Sequence, residues 1–191
     1  MRAEDEYRGA RVLLSARLGT AIVPVRIDIG FGDVVHPPPL TIDFPRLLDD
    51  MPAISIRAYP PETVIAEKFH AMIQYGETTS RLKDFYDLWA ISRTFAFDKA
   101  TLARAIARTF AQRKTRLPSE TPSVLAPSFA EIPLKQDQWR GFLRRSPTNV
   151  APPSFDRLLS DLRRSLVPVI AVLSAPGEAS GTWAASDGWS G

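Results

Sequence analysis

Two residues of opposite charge occupy positions that their helices should bury. Residues 81–92 (RLKDFYDLWAIS) show the apolar period of a helix, and Asp84 projects into the middle of the apolar arc. Residues 61–75 predict a preceding helix, in which Lys68 projects from the middle of the apolar arc in the same way. A buried carboxylate is costly unless a cation or hydrogen-bond donors meet it. We therefore expect each of these charges to have a specific partner.

Two interpretations fit this pair. In the first, Lys68 and Asp84 form a structural ion pair that clamps a helical hairpin, or Lys68 extends its ammonium to solvent. In the second, they line a polar pocket where lysine binds a phosphate and aspartate handles a proton or a metal ion. Asp28, beside Arg26 on a predicted strand, is a further candidate, because Mg²⁺ prefers carboxylate oxygens. From the strand alone, the simpler interpretation of Asp28 is a residue on a solvent-exposed strand face.

Composition excludes several kinds of site. The chain of 191 residues has no cysteine and only two histidines, His36 and His70, so it offers neither thiolate chemistry nor a histidine-rich metal centre. His70 is predicted to lie on the surface. No apolar run is long enough to span a bilayer, and a cytoplasmic protein is expected. Residues 99–191 carry 13 basic and 7 acidic side chains, which suggests either a polyanionic partner or a solvated arginine-rich surface.

The elements that must position these residues follow from periodicity. Residues 11–35 are predicted to be extended, with one apolar face half-buried, and residues 54–56 form a short strand. Besides the two helices above, helices are predicted over 98–115 with Asp98 as N-cap, around 136–145, and from 154 until Pro168 ends or kinks it. The segment from Ser174 is expected to be loose unless Trp183 and Trp189 hold it.

The sequence YPPETVIAEKFHAMIQYGETTSRLKDFYDLW resembles the AbiEii/AbiGii-type nucleotidyltransferase toxins. The matching elements are a Tyr-Pro-x-Glu lead, the Ala-Glu-Lys motif ending at Lys68, and the Arg-x-Lys-Asp-x-x-Asp-Leu motif beginning at Arg81. The resemblance implies an α+β fold, in which an incomplete polymerase-β-like nucleotidyltransferase sheet precedes a mainly helical C-terminal domain. The corresponding domains are residues 1–57, 58–173 and a loose tail at 174–191.

The resemblance also implies transfer of a nucleotide from an NTP to RNA, with tRNA as the acceptor, in a toxin–antitoxin system acting in abortive infection. It implies Mg²⁺ as cofactor and a cognate antitoxin as partner. Asp84, Lys68 and Asp28 match catalytic positions, with Asp28 as the metal ligand. Three further groups are predicted in supporting roles: nucleotide-binding Lys68, Arg81 and Lys83; supporting Glu67 and Asp87; and RNA-binding Arg104, Arg108, Arg113, Lys114 and Arg116.

One departure from the family pattern is large. Members carry a Gly-Ser or Gly-Gly turn that leads to an Asp-x-Asp pair, and neither motif precedes the matching region here. The chain resembles the C-terminal two-thirds of such an enzyme, so a separately encoded N-terminal half is a further expected partner. The alternative is a catalytically inactive module derived from that family, which binds RNA or an antitoxin.

Overall fold

The computed structural model describes residues 9–46, 48–146, 154–174 and 180–190. It divides the chain into two compact units, Met1–Val34 and Val35–Gly191. Small antiparallel sheets and a group of helices make up these units, so the predicted α+β class is confirmed.

The first unit contains an antiparallel hairpin of β1 (Gly9–Leu18) and β2 (Ala21–Gly30). The strands pair from Gly9 opposite Gly30 to Leu18 opposite Ala21, and Gly19 takes a positive φ of 59° in the turn between them. The predicted extended segment is therefore confirmed, but the prediction that one of its faces is half-buried is wrong. Apolar side chains are exposed along both strands because a two-stranded sheet has no second layer of its own to cover them.

The second unit begins with another two-stranded antiparallel sheet, formed by β3 (Leu40–Phe44) and β4 (Ile54–Ala58). Ile42 lies opposite Ile56. The loop before β3 is tied to the helices, since the backbone N–H of His36 donates to Thr63 Oγ1 at 3.0 Å and the Thr63 hydroxyl donates back to the His36 carbonyl at 2.9 Å.

Helices α1 (Pro61–Tyr75) and α2 (Leu82–Thr94) follow in the predicted places. Pro61 at the first position of α1 needs no backbone hydrogen bond there, and Gly76, the residue after the last turn, takes a positive φ of 52°. A short 3₁₀ turn at Gly76–Thr78 leads into α2. The two helices thereby become neighbours, and this arrangement brings Lys68 towards Asp84.

Helix α3 (Lys99–Gln112) begins as predicted, with Asp98 as its N-cap. The Asp98 carboxylate accepts from the backbone N–H of Thr101 at 2.7 Å. Its buried stripe, which includes Ile106 and Phe110, packs on α1, where the Phe69 and Phe110 rings lie 5.9 Å apart.

Helices α4 (Pro127–Glu131), α5 (Pro133–Arg145) and α6 (Phe155–Ser174) complete the helical part. The sequence predicts that Pro168 ends or kinks the last helix. The predicted end is wrong, because α6 runs through Pro168 to Ser174. Buried residues lie on both sides of Pro168, including Leu162, Leu166 and Ile170. Proline has no backbone N–H and cannot donate the helical hydrogen bond at this position. Burial of the apolar stripe compensates for that loss and keeps the helix continuous.

The described part of the C-terminal segment forms a small sheet. Strands β6 (Thr182–Ala184) and β7 (Gly188–Ser190) add to β5 (Phe97–Asp98), which precedes α3. Trp183 is buried, and its indole N–H donates to the Ser92 carbonyl at 2.7 Å. The Trp189 indole donates to the Ser165 carbonyl at 3.0 Å. Both tryptophans therefore hold this hairpin to the helices, whereas residues 175–179 of the predicted tail lie outside the described residues.

Within the described residues, the helices are too short or too polar to cross a membrane.

Candidate functional site

The two charges singled out in the sequence meet between α1 and α2. Lys68 Nζ donates to Asp84 Oδ1 at 3.0 Å and to Asp87 Oδ2 at 2.7 Å. Asp84 is only 5% exposed, as its place in the apolar arc predicted. The ion pair considered as a structural clamp is formed, and Asp87 one turn further along α2 doubles it.

Arg81 holds the second oxygen of Asp84. Its Nε donates to Asp84 Oδ2 at 2.6 Å, and its guanidinium carbon lies 5.6 Å from the centre of the Tyr75 ring. The Arg81 side chain is nevertheless 55% exposed. Because guanidinium has five N–H donors, Arg81 can hold Asp84 through Nε and still offer a donor to a ligand.

The protonation states follow from these contacts. Burial disfavours the charged form of Asp84, but hydrogen bonds from Arg81 and Lys68 outweigh it and hold the pKa of the carboxyl below its ordinary value. For Lys68, burial acts to lower the pKa, but hydrogen bonds to Asp87 and Asp84 raise it above its ordinary value. Asp84 is therefore an anion and Lys68 a cation at neutral pH.

The other charged residues of the two motifs form ion pairs around this cluster. Lys83 Nζ donates to Asp87 Oδ2 at 2.6 Å, so Asp87 receives two ammonium groups on one oxygen. Glu67, the residue before Lys68, accepts from Arg113, which directly follows α3, at 2.9 Å. The predicted supporting residues thus connect the site to solvent on one side and to α3 on the other.

Asp28 lies in the first unit, on β2. Arg11 Nε of the paired strand donates to its Oδ1, and Arg26 Nε lies 3.7 Å from its Oδ2. The hydrogen bond from Arg11 lowers the pKa of this exposed carboxyl. Within its own unit, Asp28 is therefore an exposed strand residue paired with two arginines, and its predicted role in catalysis stays a prediction.

The described residues do not fit a Mg²⁺ site by themselves. Mg²⁺ requires several oxygen ligands in near-octahedral geometry. Both Asp84 oxygens are held by cations, Asp87 accepts two ammonium groups, and across the described ranges no three carboxylate or imidazole side chains converge.

Among the residues predicted to bind RNA, Arg104, Arg108, Lys114 and Arg116 are exposed, on α3 or just after it. Arg113 is partly buried and paired with Glu67, so it also joins α3 to α1. The role of these five residues in RNA binding stays a prediction.

A buried lysine that was not predicted lies close to the site. Lys135 of α5 is 3% exposed, its Nζ donates to the carbonyl of buried Thr79, and burial lowers its pKa. It thereby attaches α5 to the loop that carries Arg81. The signal was present, because Lys135 has Trp139 and Phe142 at helical spacings of four and seven residues.

One predicted location is wrong. His70, expected on the surface, is buried, with Nε2 2.8 Å from Thr115 Oγ1 and its ring edge-on to Phe110. The residue lies on the face of α1 that α3 covers, which the sequence of α1 alone does not indicate.

Comparison with protein-family models finds one described as "Nucleotidyl transferase AbiEii toxin, Type IV TA system", which matches residues 1–161. No curated protein and no solved structure matches the chain. The matched range contains both motifs and every residue discussed at the site.

Proposed function

The chain belongs to the AbiEii nucleotidyl transferase toxin family of type IV toxin–antitoxin systems, and on that basis we propose that it transfers a nucleotide from an NTP to RNA, with tRNA as acceptor. The family implies a cognate antitoxin as partner. The observation that carries the proposal is the buried Lys68–Asp84–Arg81 cluster, formed by the two motifs that the resemblance rests on.

In the proposed reaction, an acceptor hydroxyl attacks the α-phosphorus of the NTP. A bond forms between the acceptor oxygen and phosphorus, the bond to the β-phosphate oxygen breaks, pyrophosphate leaves, and the hydroxyl proton passes to a base. Lys68 and Arg81 bind the phosphates, as charge and exposure favour, and Lys83 adds a third cation at the rim.

Asp84 is the proton acceptor in this proposal. Lys68 occupies its Oδ1 in the absence of substrate. When phosphates draw Lys68 away, that oxygen becomes free and the pKa of Asp84 rises towards its ordinary value, because a cation that lowered it has turned to the substrate. Substrate binding thereby prepares the base. Asp87 keeps Lys68 charged and near α2 throughout.

The family of nucleotidyl transferases uses a divalent metal ion with its NTP, which we propose to be Mg²⁺. Because the described residues do not assemble its site alone, we propose that a separately encoded N-terminal half supplies the remaining ligands. The exposed apolar side chains of β1 and β2 support such a partner, since uncovered apolar faces of this kind mark interaction surfaces. This cytoplasmic assembly would then be the active enzyme.

The test is labelling of total RNA with each α-³²P-labelled NTP in the presence of Mg²⁺. The chain is assayed alone and with the polypeptide encoded directly upstream. We expect label in RNA in at least one arm, and its loss in Lys68→Met and Asp84→Asn. Absence of label in both arms with every NTP would contradict the proposal.

A further inference from the structure

A cleft lies between the start of α2 and the face of α5, and the roles above account for only two of its lining residues, Arg81 and Lys83. Its volume is about 600 Å³. Residues from both elements line it: Ser80, Arg81, Leu82, Lys83, Asp137, Gln138, Gly141, Phe142, Arg144 and Arg145. Arg81, which holds Asp84, is thus also a wall of the cleft. Whatever occupies the cleft lies next to the proposed catalytic carboxylate.

The cleft is strongly basic. Four of its residues are cations, and its one acid, Asp137, is already paired with Arg140 outside the lining. Arg81 and Lys83 are partly neutralised by Asp84 and Asp87. Arg144 and Arg145 form no ion pair with any other residue in the described ranges. The cleft therefore presents two uncompensated guanidinium groups, which suit phosphate oxygens.

The walls are held in place without a ligand. Lys135 attaches α5 to the Thr79 carbonyl, directly before the lining residues of α2. On the α5 side, Phe142 packs on Tyr86 and Trp139, with ring centres 5.5 and 5.3 Å apart. Gly141 leaves room for the Arg145 guanidinium, since a β-carbon there would come within 3.2 Å of Nη1. A preformed basic cleft with an aromatic wall is typical of a single-stranded nucleic acid site.

Gln138 adds a second indication of a ligand. Its side-chain oxygen is buried and makes no hydrogen bond within the part of the chain that the structure describes. An unpaired buried acceptor is costly, and a ribose hydroxyl or a base amino group would satisfy it. Two guanidinium groups, an aromatic wall and an unsatisfied acceptor together match a nucleotide chain better than a bare phosphate.

We propose that the α2–α5 cleft binds a single-stranded segment of the acceptor RNA, with Arg144 and Arg145 on its phosphates. This rests on the proposed function in one respect, the identity of the strand as the acceptor. The acceptor strand and the NTP then share Arg81 and Lys83 at one end of the cleft, whereas Arg144 and Arg145 contact the acceptor alone. The cleft also adds a second RNA contact to the basic residues of α3.

The test is equilibrium binding of a short fluorescein-labelled single-stranded RNA to the full chain, by anisotropy over a range of salt, without NTP or metal. For Arg144→Ala/Arg145→Ala we expect affinity to fall about tenfold and the salt slope to decrease by about 1.4, the counterion release of two single-strand phosphates. The matched control Arg93→Ala/Arg157→Ala removes the same charge outside the lining, and should stay within about twofold with an unchanged slope.

A charge-conserving variant separates charge from geometry. Arg144→Lys/Arg145→Lys should keep the salt slope and lose only part of the affinity, since lysine lacks the bidentate fork. Wild-type affinity and slope in the alanine variant, or an equal loss in the control, would overturn the proposal. So would loss of NTP affinity, measured by calorimetry, with RNA affinity unchanged.

The outcomes also distinguish this proposal from the proposed function. RNA binding through the cleft without any labelling would leave the cleft standing and remove the transferase reaction. If the chain labels RNA but Arg144→Ala/Arg145→Ala binds RNA normally, the transferase reaction stands and the proposed role of the cleft is removed. Arg144 and Arg145 are exposed and form no ion pair within the described ranges, so thermal melts followed by circular dichroism should coincide for wild type and the variants at these two positions. The control loses the Arg157–Asp161 pair and the contact of Arg93 with the Trp89 ring, so it should melt slightly lower.

Discussion

Asp84→Asn tests the charge cluster most directly, because it removes one charge and keeps the shape of the side chain. Removal of one partner from a buried ion pair costs about 3–5 kcal/mol. Two features reduce this figure here: Lys68 keeps Asp87 at 2.7 Å, and the Arg81 side chain is 55% exposed and can be rehydrated. We expect the free energy of unfolding at neutral pH to decrease by about 2 kcal/mol.

The effect should depend on pH in a defined direction. The pKa of Asp84 is lowered in the folded chain, so its stabilisation is complete above the unfolded value of about 3.9. It is lost as pH falls through the folded pKa. The difference between wild type and Asp84→Asn should therefore be constant from neutral pH down to about pH 4 and shrink below it.

The assay is urea unfolding at several pH values, followed by far-ultraviolet circular dichroism, which reports on the helices of the second unit. Asp137→Asn is the control, because its pair with Arg140 is exposed and worth at most about 0.5 kcal/mol. In a Lys68→Met background, Asp84→Asn should lower the free energy of unfolding by about 1 kcal/mol less than in the wild type, since Asp84 has already lost Lys68 as its partner. Wild-type stability in Asp84→Asn at neutral pH, or equal effects with and without Lys68, would refute the reasoning.

Three further predictions concern the elements around the site. Asp98→Ala should lower the free energy of unfolding by about 1 kcal/mol in urea titrations, because the Thr101 N–H loses its cap, whereas Asp98→Ser should retain most of it. Trp183→Ala should cost about 3–5 kcal/mol and make residues 180–190 sensitive to limited proteolysis, while Trp183→Phe should cost less; an undigested segment in the alanine variant would contradict this. The native chain should enhance the fluorescence of an apolar dye through the exposed side chains of β1 and β2, and the absence of enhancement would contradict their exposure.

Local patterns determined helices α1, α2 and α3 and the identity of the central charges. The period of α1 and α2 placed Lys68 and Asp84 within apolar arcs, and burial of apolar arcs left each charge needing the other. Asp98 identified the start of α3 because capping depends on residues within one turn. These features depend on neighbours along the chain, so the sequence alone was sufficient.

Contacts between distant segments required the tertiary structure. Burial of His70 depends on α3, which begins 29 residues later, and the passage of α6 through Pro168 depends on the partners of its buried stripe. The α2–α5 cleft arises only because Lys135 attaches α5 to Thr79, so that Arg144 and Arg145 come to face Arg81. A sequence determines which side chains need partners, whereas packing between helices decides which partners they meet and where a cavity remains.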